Sequence, residues 1–266
     1  MKVREIPCRT ALVPTRLPGL DYALNPYRGC AIGCVYCYAP SVLREDRPWG
    51  HFVDVKRNAP AVLAKELKKA RSGVVGIGTV TDGYQPVERR YRVTRYCLDQ
   101  LLRHQFPVSV QTKSSLVLQD LDRLRRFDDA EVGVTVTTMD DGMRRRLEPL
   151  SSPTTRRLEI LRAVHDAGIR TWAFVGPILP GATEPTLEAL LAGIRDAGTR
   201  RVMYDRLRYR PGIWERVGPA AASLGMEDAY RVARDKPESF EAVEARIERL
   251  GAQLGLRVEA AFPSGW

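Results

Sequence analysis

The chain has 266 residues, of which 44% are hydrophobic and 28% charged, a balance that is typical of globular proteins and excludes a mainly disordered one. Five cysteines are too few for a disulfide-dense fold, and no apolar run reaches the roughly 18 residues that a membrane span needs. The N-terminal segment lacks the apolar core of a secretory signal, so we expect a cytoplasmic protein.

The charge of the chain is strongly positive, with a formal net charge of +10. Residues 227–259 hold eight acidic and six basic side chains, so the surplus of cations lies in the rest of the chain. A basic surface attracts polyanions because each neutralised phosphate releases counterions. The charge therefore favours a nucleic acid, a nucleotide or another polyanion as partner, although arginine clusters such as residues 89–92 and 144–146 also fit solvated helix faces.

After a proline-rich entry segment, short β-branched runs alternate with longer amphipathic ones. The pattern predicts strands near residues 22–26 and at residues 74–80, 108–112, 132–138, 171–178 and 201–207. It predicts helices near residues 59–70, 94–104, 120–126, 154–167, 186–197 and 240–254. This alternation is typical of an α/β fold with a mainly parallel sheet covered by helices, and about six such units favour a barrel or partial barrel.

No internal repeat or flexible linker divides the chain, so we expect one domain over residues 1–266. Its core covers about residues 20–210, and a mainly helical extension follows from about residue 211 to residue 266. The last apolar segment, LRVEAAF, fits a short strand. Parallel α/β folds place function at the carboxyl ends of their strands, so the loops after the strands should hold the site.

The cysteines Cys30, Cys34 and Cys37 form the pattern Cys-x3-Cys-x2-Cys within eight residues. Three thiolates at this spacing can hold three irons of a [4Fe–4S] cluster and leave the fourth iron open to a small molecule. A structural zinc site needs a fourth ligand, for which Cys8 is the candidate, but Cys8 lies 22 residues upstream. Buried cysteines without a metal are the third interpretation. The spacing favours the cluster.

The string around these cysteines, NPYRGCAIGCVYCYAP, resembles the signature of radical S-adenosylmethionine (radical SAM) enzymes, in the DNA-photolyase-like branch that includes spore photoproduct lyase. The resemblance continues through TVTDGYQPVE, TKSSLVLQDLDRL, the VTVTT strand and GPILPG, over roughly residues 20–210. It implies a partial (β/α)6 barrel in which the three cysteines hold a [4Fe–4S] cluster and SAM binds the open iron. It also implies reductive cleavage of SAM to a 5′-deoxyadenosyl radical that abstracts a substrate hydrogen, with a reduced flavodoxin or ferredoxin as electron donor.

The resemblance also assigns roles to single residues. It places Tyr36 beside the adenine of SAM and implicates Tyr36 and Tyr38 in the return of a hydrogen atom. A hydroxyl or carboxylate suits the amino group of SAM, and an ammonium suits its carboxylate. The further SAM contacts that the resemblance implies are Thr81, Asp82, Lys113, Thr135, Gly176 and Pro177. The end of the sixth predicted strand adds substrate-facing candidates that fit surface ion pairs equally well, namely Asp205, Arg206 and Arg208.

One position departs from spore photoproduct lyase. Where that enzyme has a hydrogen-donating cysteine, this chain has Thr79, whose O–H bond is too strong for the same donation. Cys97 is predicted on the buried face of a helix and is no substitute. We therefore expect a substrate other than spore photoproduct.

The sequence leaves three functions open. The first is a radical SAM enzyme that acts on a nucleic acid or nucleotide, which the basic charge favours. The second is a radical SAM enzyme that modifies a peptide, a protein side chain or a small metabolite. The third is a non-catalytic metal protein that binds nucleic acid, which predicts no cleavage of SAM.

Overall fold

The computed structural model describes residues 1–262. In chain order its strands are β1 (Lys2–Ile6), β2 (Leu12–Pro14), β3 (Tyr22–Leu24), β4 (Tyr27–Arg28), β5 (Phe52–Lys56), β6 (Val75–Ile77), β7 (Val108–Thr112), β8 (Ala130–Thr135), β9 (Arg170–Ile178), β10 (Arg201–Arg206) and β11 (Arg257–Ala260). Its α-helices are α1 (Ala39–Leu43), α2 (Ala59–Leu67), α3 (Glu88–Tyr91), α4 (Val93–Arg103), α5 (Leu121–Leu124), α6 (Asp141–Leu147), α7 (Thr154–Asp166), α8 (Leu187–Asp196), α9 (Trp214–Ser223), α10 (Glu227–Asp235) and α11 (Glu241–Gln253). Short 3-10 helices cover Ser115–Asp120, Glu184–Thr186 and Pro237–Phe240.

The main sheet has eight strands in the order β11-β10-β9-β8-β7-β6-β3-β2. Every neighbouring pair is parallel except β2 and β3, which are antiparallel. Within residues 1–262 the edge strands β2 and β11 do not pair with each other, yet strands from β3 to β10 line one common cavity. The sheet therefore curves round its interior as an open structure, which confirms the predicted α/β class and mainly parallel sheet.

The predicted strands and helices are all present, with boundaries that shift by a few residues. One such shift is at β6, which ends at Ile77 and not at residue 80, because Gly78 takes a φ of +101°. A Cβ on Gly78 would lie 2.4 Å from the carbonyl oxygen of Gln111, so only glycine fits there. The segment LRVEAAF forms β11, which pairs in parallel with β10 and joins the end of the helical tail to the main sheet.

A second sheet, in the order β1-β5-β4, does not appear among the predicted elements. Its pairing joins Lys2 to Phe52 and Ile6 to Lys56, about 50 residues apart in the chain. The strands are short, and such pairing is decided by contacts that no local pattern reveals. This sheet supports the segment before the first cysteine, since a Cβ on Gly29 would lie 2.5 Å from the carbonyl oxygen of Phe52.

Helix packing confirms one expectation and corrects another. Cys97, Leu98 and Leu101 are fully buried on one face of α4, as its amphipathic pattern predicts. The interpretation of residues 144–146 as a solvated face is wrong for Arg144, which is buried and donates a hydrogen bond to the carbonyl oxygen of Ser151 (3.0 Å). None of the helices within residues 1–262 has the length and apolar character to cross a membrane.

Candidate active site

The loop between β4 and α1 carries the three clustered cysteines. Cys30 and Cys34 are buried, Cys37 is half-buried, and none of them is in a disulfide. All three line one cavity of about 1080 Å³. Burial raises the pKa of Cys30 and Cys34 to about 12 and that of Cys37 to about 11, so the loop by itself holds neutral thiols. Metal coordination would favour their thiolate forms.

The donor chemistry of this loop fits the predicted cluster. Three soft sulfur ligands face a common space, and none of them is bound to another cysteine. Within residues 1–262 no three or more Cys, His, Asp or Glu side chains are gathered closely enough to hold a single metal ion. A [4Fe–4S] cluster takes each thiolate on a different iron, so its ligands need not converge on one ion.

Thr81 and Asp82, after β6, both bind neighbouring loops. The hydroxyl of Thr81 donates to the carbonyl oxygen of Gly29 (2.7 Å), directly before Cys30. The carboxylate of Asp82 accepts hydrogen bonds from the hydroxyl of Thr112 (2.8 Å) and from the backbone N–H of Lys113 (2.8 Å). Asp82 therefore fixes the end of β7 as well as lining the cavity.

Lys113, Thr135, Gly176 and Pro177 line the same cavity as the cysteines, at or near the carboxyl ends of β7, β8 and β9. The Nζ of Lys113 lies 5.8 Å from the centre of the Tyr36 ring. A Cβ on Gly176 would lie 2.2 Å from the ring of Phe174, so a side chain at this position would have to displace that ring. All the residues that the resemblance implies as SAM contacts therefore line one cavity.

A buried ion pair holds Tyr36, and its two residues are not among the sites predicted from the sequence. The hydroxyl of Tyr36 donates to Glu148, which pairs with Arg157; both of these charged side chains have an exposed fraction of 0%. Arg157 also donates to the carbonyl oxygens of Thr135 (2.9 Å) and Ser152 (2.8 Å). The hydrogen bonds of Glu148 and Arg157 therefore connect the cysteine loop to the end of β8.

One sequence signal for this pair exists in α7. Thr154, Arg157, Ile160 and Val164 recur at helical spacing, and all four are buried. An arginine in the buried stripe of a helix needs an acidic or carbonyl partner, since an unpaired buried charge is costly. Which acid supplies it depends on tertiary contacts.

Tyr38 lies on the rim of the cavity. The substrate-facing candidates at the end of β10, namely Asp205, Arg206 and Arg208, lie on its wall. Tyr38 is 42% exposed, and its hydroxyl donates to the carbonyl oxygen of Thr79. The predicted ion pairs form here as well, since Arg206 binds Glu244 (2.7 Å) and Arg208 binds Asp205 (3.0 Å). Asp205, Arg206 and Arg208 line the cavity while they form these pairs.

Comparison with known proteins gives consistent relationships. A sequence model described as the radical SAM superfamily matches residues 24–192. An uncharacterized protein of Methanocaldococcus jannaschii is 32% identical over 182 residues, which are 68% of this chain and 69% of that protein. A radical SAM Nalpha-GlyT isomerase of Pseudomonas phage M6 is 24% identical over 182 residues, 67% of this chain and 38% of that protein.

Among solved structures, a spore photoproduct lyase mutant with bound AdoMet and dinucleoside spore photoproduct has a TM-score of 0.70. It shares 17% sequence identity and covers 98% of this chain and 81% of its own. At this identity the likeness establishes the fold, and the family match over most of the sheet establishes the relationship. The chain belongs to the radical SAM superfamily.

Proposed function

We propose that this protein is a radical SAM enzyme in which Cys30, Cys34 and Cys37 hold a [4Fe–4S] cluster, and that its substrate is a nucleic acid or nucleotide. The observation that supports this most is that three free thiols of one loop line the same cavity as Lys113 and Gly176. When bound, the reduced cluster supplies the electron that splits SAM into methionine and a 5′-deoxyadenosyl radical, which takes a hydrogen atom from the substrate. A reduced flavodoxin or ferredoxin is the electron donor in this proposal.

The protein's own side chains orient and hold the reactants. Lys113 forms no ion pair within residues 1–262, which leaves its ammonium free to bind the carboxylate of SAM. Asp82 keeps the N–H of Lys113 in place, and Thr81 holds the cysteine loop against the end of β6. The hydroxyl of Tyr36 donates to Glu148 and that of Tyr38 donates to the carbonyl oxygen of Thr79, so a hydrogen relay through either tyrosine requires its bond to open.

The substrate class is supported by the charge of the chain. The net charge of +10 favours a polyanion over a neutral peptide or metabolite. The phage relative is named an isomerase, so one relative of this chain is described as rearranging its substrate without a net loss of atoms. Candidate substrates that carry deuterium can be compared directly, because transfer of the deuterium into 5′-deoxyadenosine identifies the molecule that loses hydrogen. Transfer from a peptide and not from a nucleotide would move the proposal to the other substrate class.

The cluster assignment makes a prediction about iron. Protein reconstituted without oxygen should hold about four irons and four sulfides per chain, as one [4Fe–4S] cluster requires. Replacing Cys30, Cys34 or Cys37 by alanine should remove this iron. Cys97→Ala and Cys8→Ala are matched controls that should keep it, since Cys97 lies in the core and Cys8 lines the same cavity outside the loop. Stoichiometric zinc without iron, or loss of iron in Cys8→Ala, would contradict the assignment.

The SAM contacts make a second prediction. Lys113→Ala should weaken SAM binding by about 10- to 100-fold, the scale of one charge-assisted hydrogen bond, without loss of iron. Asp82→Ala should weaken SAM binding and also lower the thermal midpoint, because it releases Thr112 and the N–H of Lys113. Calorimetric titration of reconstituted protein with SAM measures the first effect, with Lys65→Ala on the exposed face of α2 as control. Unchanged SAM affinity in Lys113→Ala would show that the ammonium contacts something else.

A further inference from the structure

The charged groups on the cavity wall do not balance. The carboxylates are each bound within the protein, namely Asp82 by Thr112 and backbone N–H groups, Asp129 by Arg170, Glu131 by Arg201 and Asp205 by Arg208. Three cations on the same wall form no ion pair with another group in residues 1–262, and these are Lys56, Lys113 and Arg210. The cavity lining therefore holds more cations than its ion pairs use, which favours an anionic group on a bound molecule.

Of these three cations, Lys56 is the one whose partner neither the binding of SAM nor exposure to solvent accounts for. Lys113 lies beside the cysteine loop and suits SAM, and Arg210 is exposed to solvent at the rim. Lys56 ends β5, and its Nζ donates to the carbonyl oxygen of Asn25 (2.9 Å). Burial lowers the pKa of Lys56; the neighbouring Cys8 opposes this shift, and Arg28 adds to it. An ammonium in such a place is costly unless an anion pairs with it.

The wall that holds Lys56 is continuous with the cysteine loop. The side chain of Asn25 donates to the hydroxyl of Thr79 (2.8 Å) and accepts from the backbone N–H of Val80 (3.1 Å). The carbonyl oxygen of Thr79 in turn accepts the hydroxyl of Tyr38, next to Cys37. Lys56 thus belongs to a hydrogen-bonded wall that begins at the cluster ligands and runs away from them.

We propose that Lys56 binds a phosphate group of the substrate. This inference rests on the proposed function, since it names the contact by which that cavity would recognise a nucleotide. A lysine ammonium binds phosphate as a point charge, and it retains donors beyond the one that Asn25 uses. The placement leaves the rest of the substrate between Lys56 and the cysteine loop, where Thr79 and Tyr38 line the wall.

The test compares two probes that differ only in the phosphate, thymidine 5′-monophosphate and thymidine. Binding is measured by calorimetry on reconstituted protein with SAM and without a reductant, so that no turnover occurs. The protein should bind the monophosphate about tenfold or more tightly than thymidine, as one charge-assisted hydrogen bond implies. Lys56→Met and Lys56→Gln should bind both probes equally, and Lys56→Arg should keep the preference. Lys56→Gln retains a donor for Asn25, so it answers the question even where the methionine variant folds poorly.

Two controls separate this contact from general charge. Lys68→Met removes the same charge from an exposed position outside the cavity and should keep the preference. Arg210→Gln removes the charge of Arg210 at the rim of the cavity and should also keep the preference for the monophosphate. The proposal is overturned by equal binding of both probes to the unaltered protein, by a preference that persists in the neutral Lys56 variants, or by a preference that only Arg210→Gln removes. Formation of 5′-deoxyadenosine from SAM by the unaltered protein, measured in parallel, tests the proposed function separately.

Discussion

Glu148→Ala is expected to lower the free energy of unfolding by about 3–5 kcal/mol, because it leaves Arg157 buried without its counter-charge. Both side chains are fully buried, and the carboxylate also accepts hydrogen bonds from the hydroxyls of Tyr36 and Thr137. Urea unfolding of the cluster-free protein measures the loss. A change below about 1 kcal/mol would mean that water or another acid replaces the carboxylate.

The same substitution should loosen the cysteine loop specifically. Tyr36 lies between Cys34 and Cys37 and loses its anchor in Glu148→Ala, so a thiol reagent should modify the loop cysteines faster in cluster-free protein. Asp120→Ala is the matched control, since Asp120 is buried, pairs with Arg95 (2.8 Å) and accepts the hydroxyl of Tyr84. That variant should lose stability without faster modification of the loop under native conditions. Equal rates of thiol modification in both variants would show that Glu148 contributes to stability in general and does not hold the cysteine loop specifically.

The stability that Glu148 contributes should depend on pH, and the sign of this dependence follows from the pKa of Glu148. Burial by itself raises the pKa of Glu148, but Arg157 and Lys113 outweigh it and hold the pKa at about 2. A carboxyl with a lowered pKa in the folded state stabilises the protein above its unfolded pKa and loses that contribution as the pH falls towards the folded value. The difference in stability between the unaltered protein and Glu148→Gln should therefore be full at neutral pH and shrink from about pH 4 towards pH 2.

Spore photoproduct should not be repaired at a useful rate. The resemblance to spore photoproduct lyase puts Thr79 at the position of the hydrogen-donating cysteine, and its hydroxyl here accepts a hydrogen bond from Asn25. A threonine O–H bond is too strong to quench a carbon radical, and the buried Cys97 is out of reach in α4. Reduced protein with SAM and the dinucleoside photoproduct should therefore form 5′-deoxyadenosine without a matching yield of thymidylyl-thymidine.

A gain-of-function variant tests the same argument from the other side. Thr79→Cys introduces a thiol on the cavity wall and should raise the yield of repaired dinucleotide above that of the unaltered protein. Ser109→Cys is the matched control, because it adds a thiol to the same cavity near the amino end of β7. Clean multiple-turnover repair by the unaltered protein would refute the prediction, and repair in both cysteine variants would remove the special importance of position 79.

The sequence by itself determined the alternation of strands and helices, the family and the loop that carries the cysteines. These features are local: β-branched runs of five to nine residues reveal β7 and β9, and the cysteine spacing lies within eight residues. The buried face of α4 and the strand β11 were equally readable, since hydrophobic periodicity reports which side of an element meets the core. The candidate SAM contacts came from the resemblance to radical SAM enzymes in the motifs at the strand ends, and they stay predictions.

Only the tertiary structure decided which charged side chains meet. Glu148 and Tyr36 are 112 positions apart, Lys56 and Asn25 are 31 apart, and the β1–β5 pairing spans about 50 residues. Composition distinguishes neither the buried Arg144 and Arg157 from exposed arginines nor the cavity-lining Lys56 from a surface lysine. The free energy of a charge depends on its burial and its partner, and both are set by how distant segments pack, not by the residue or its neighbours in the chain.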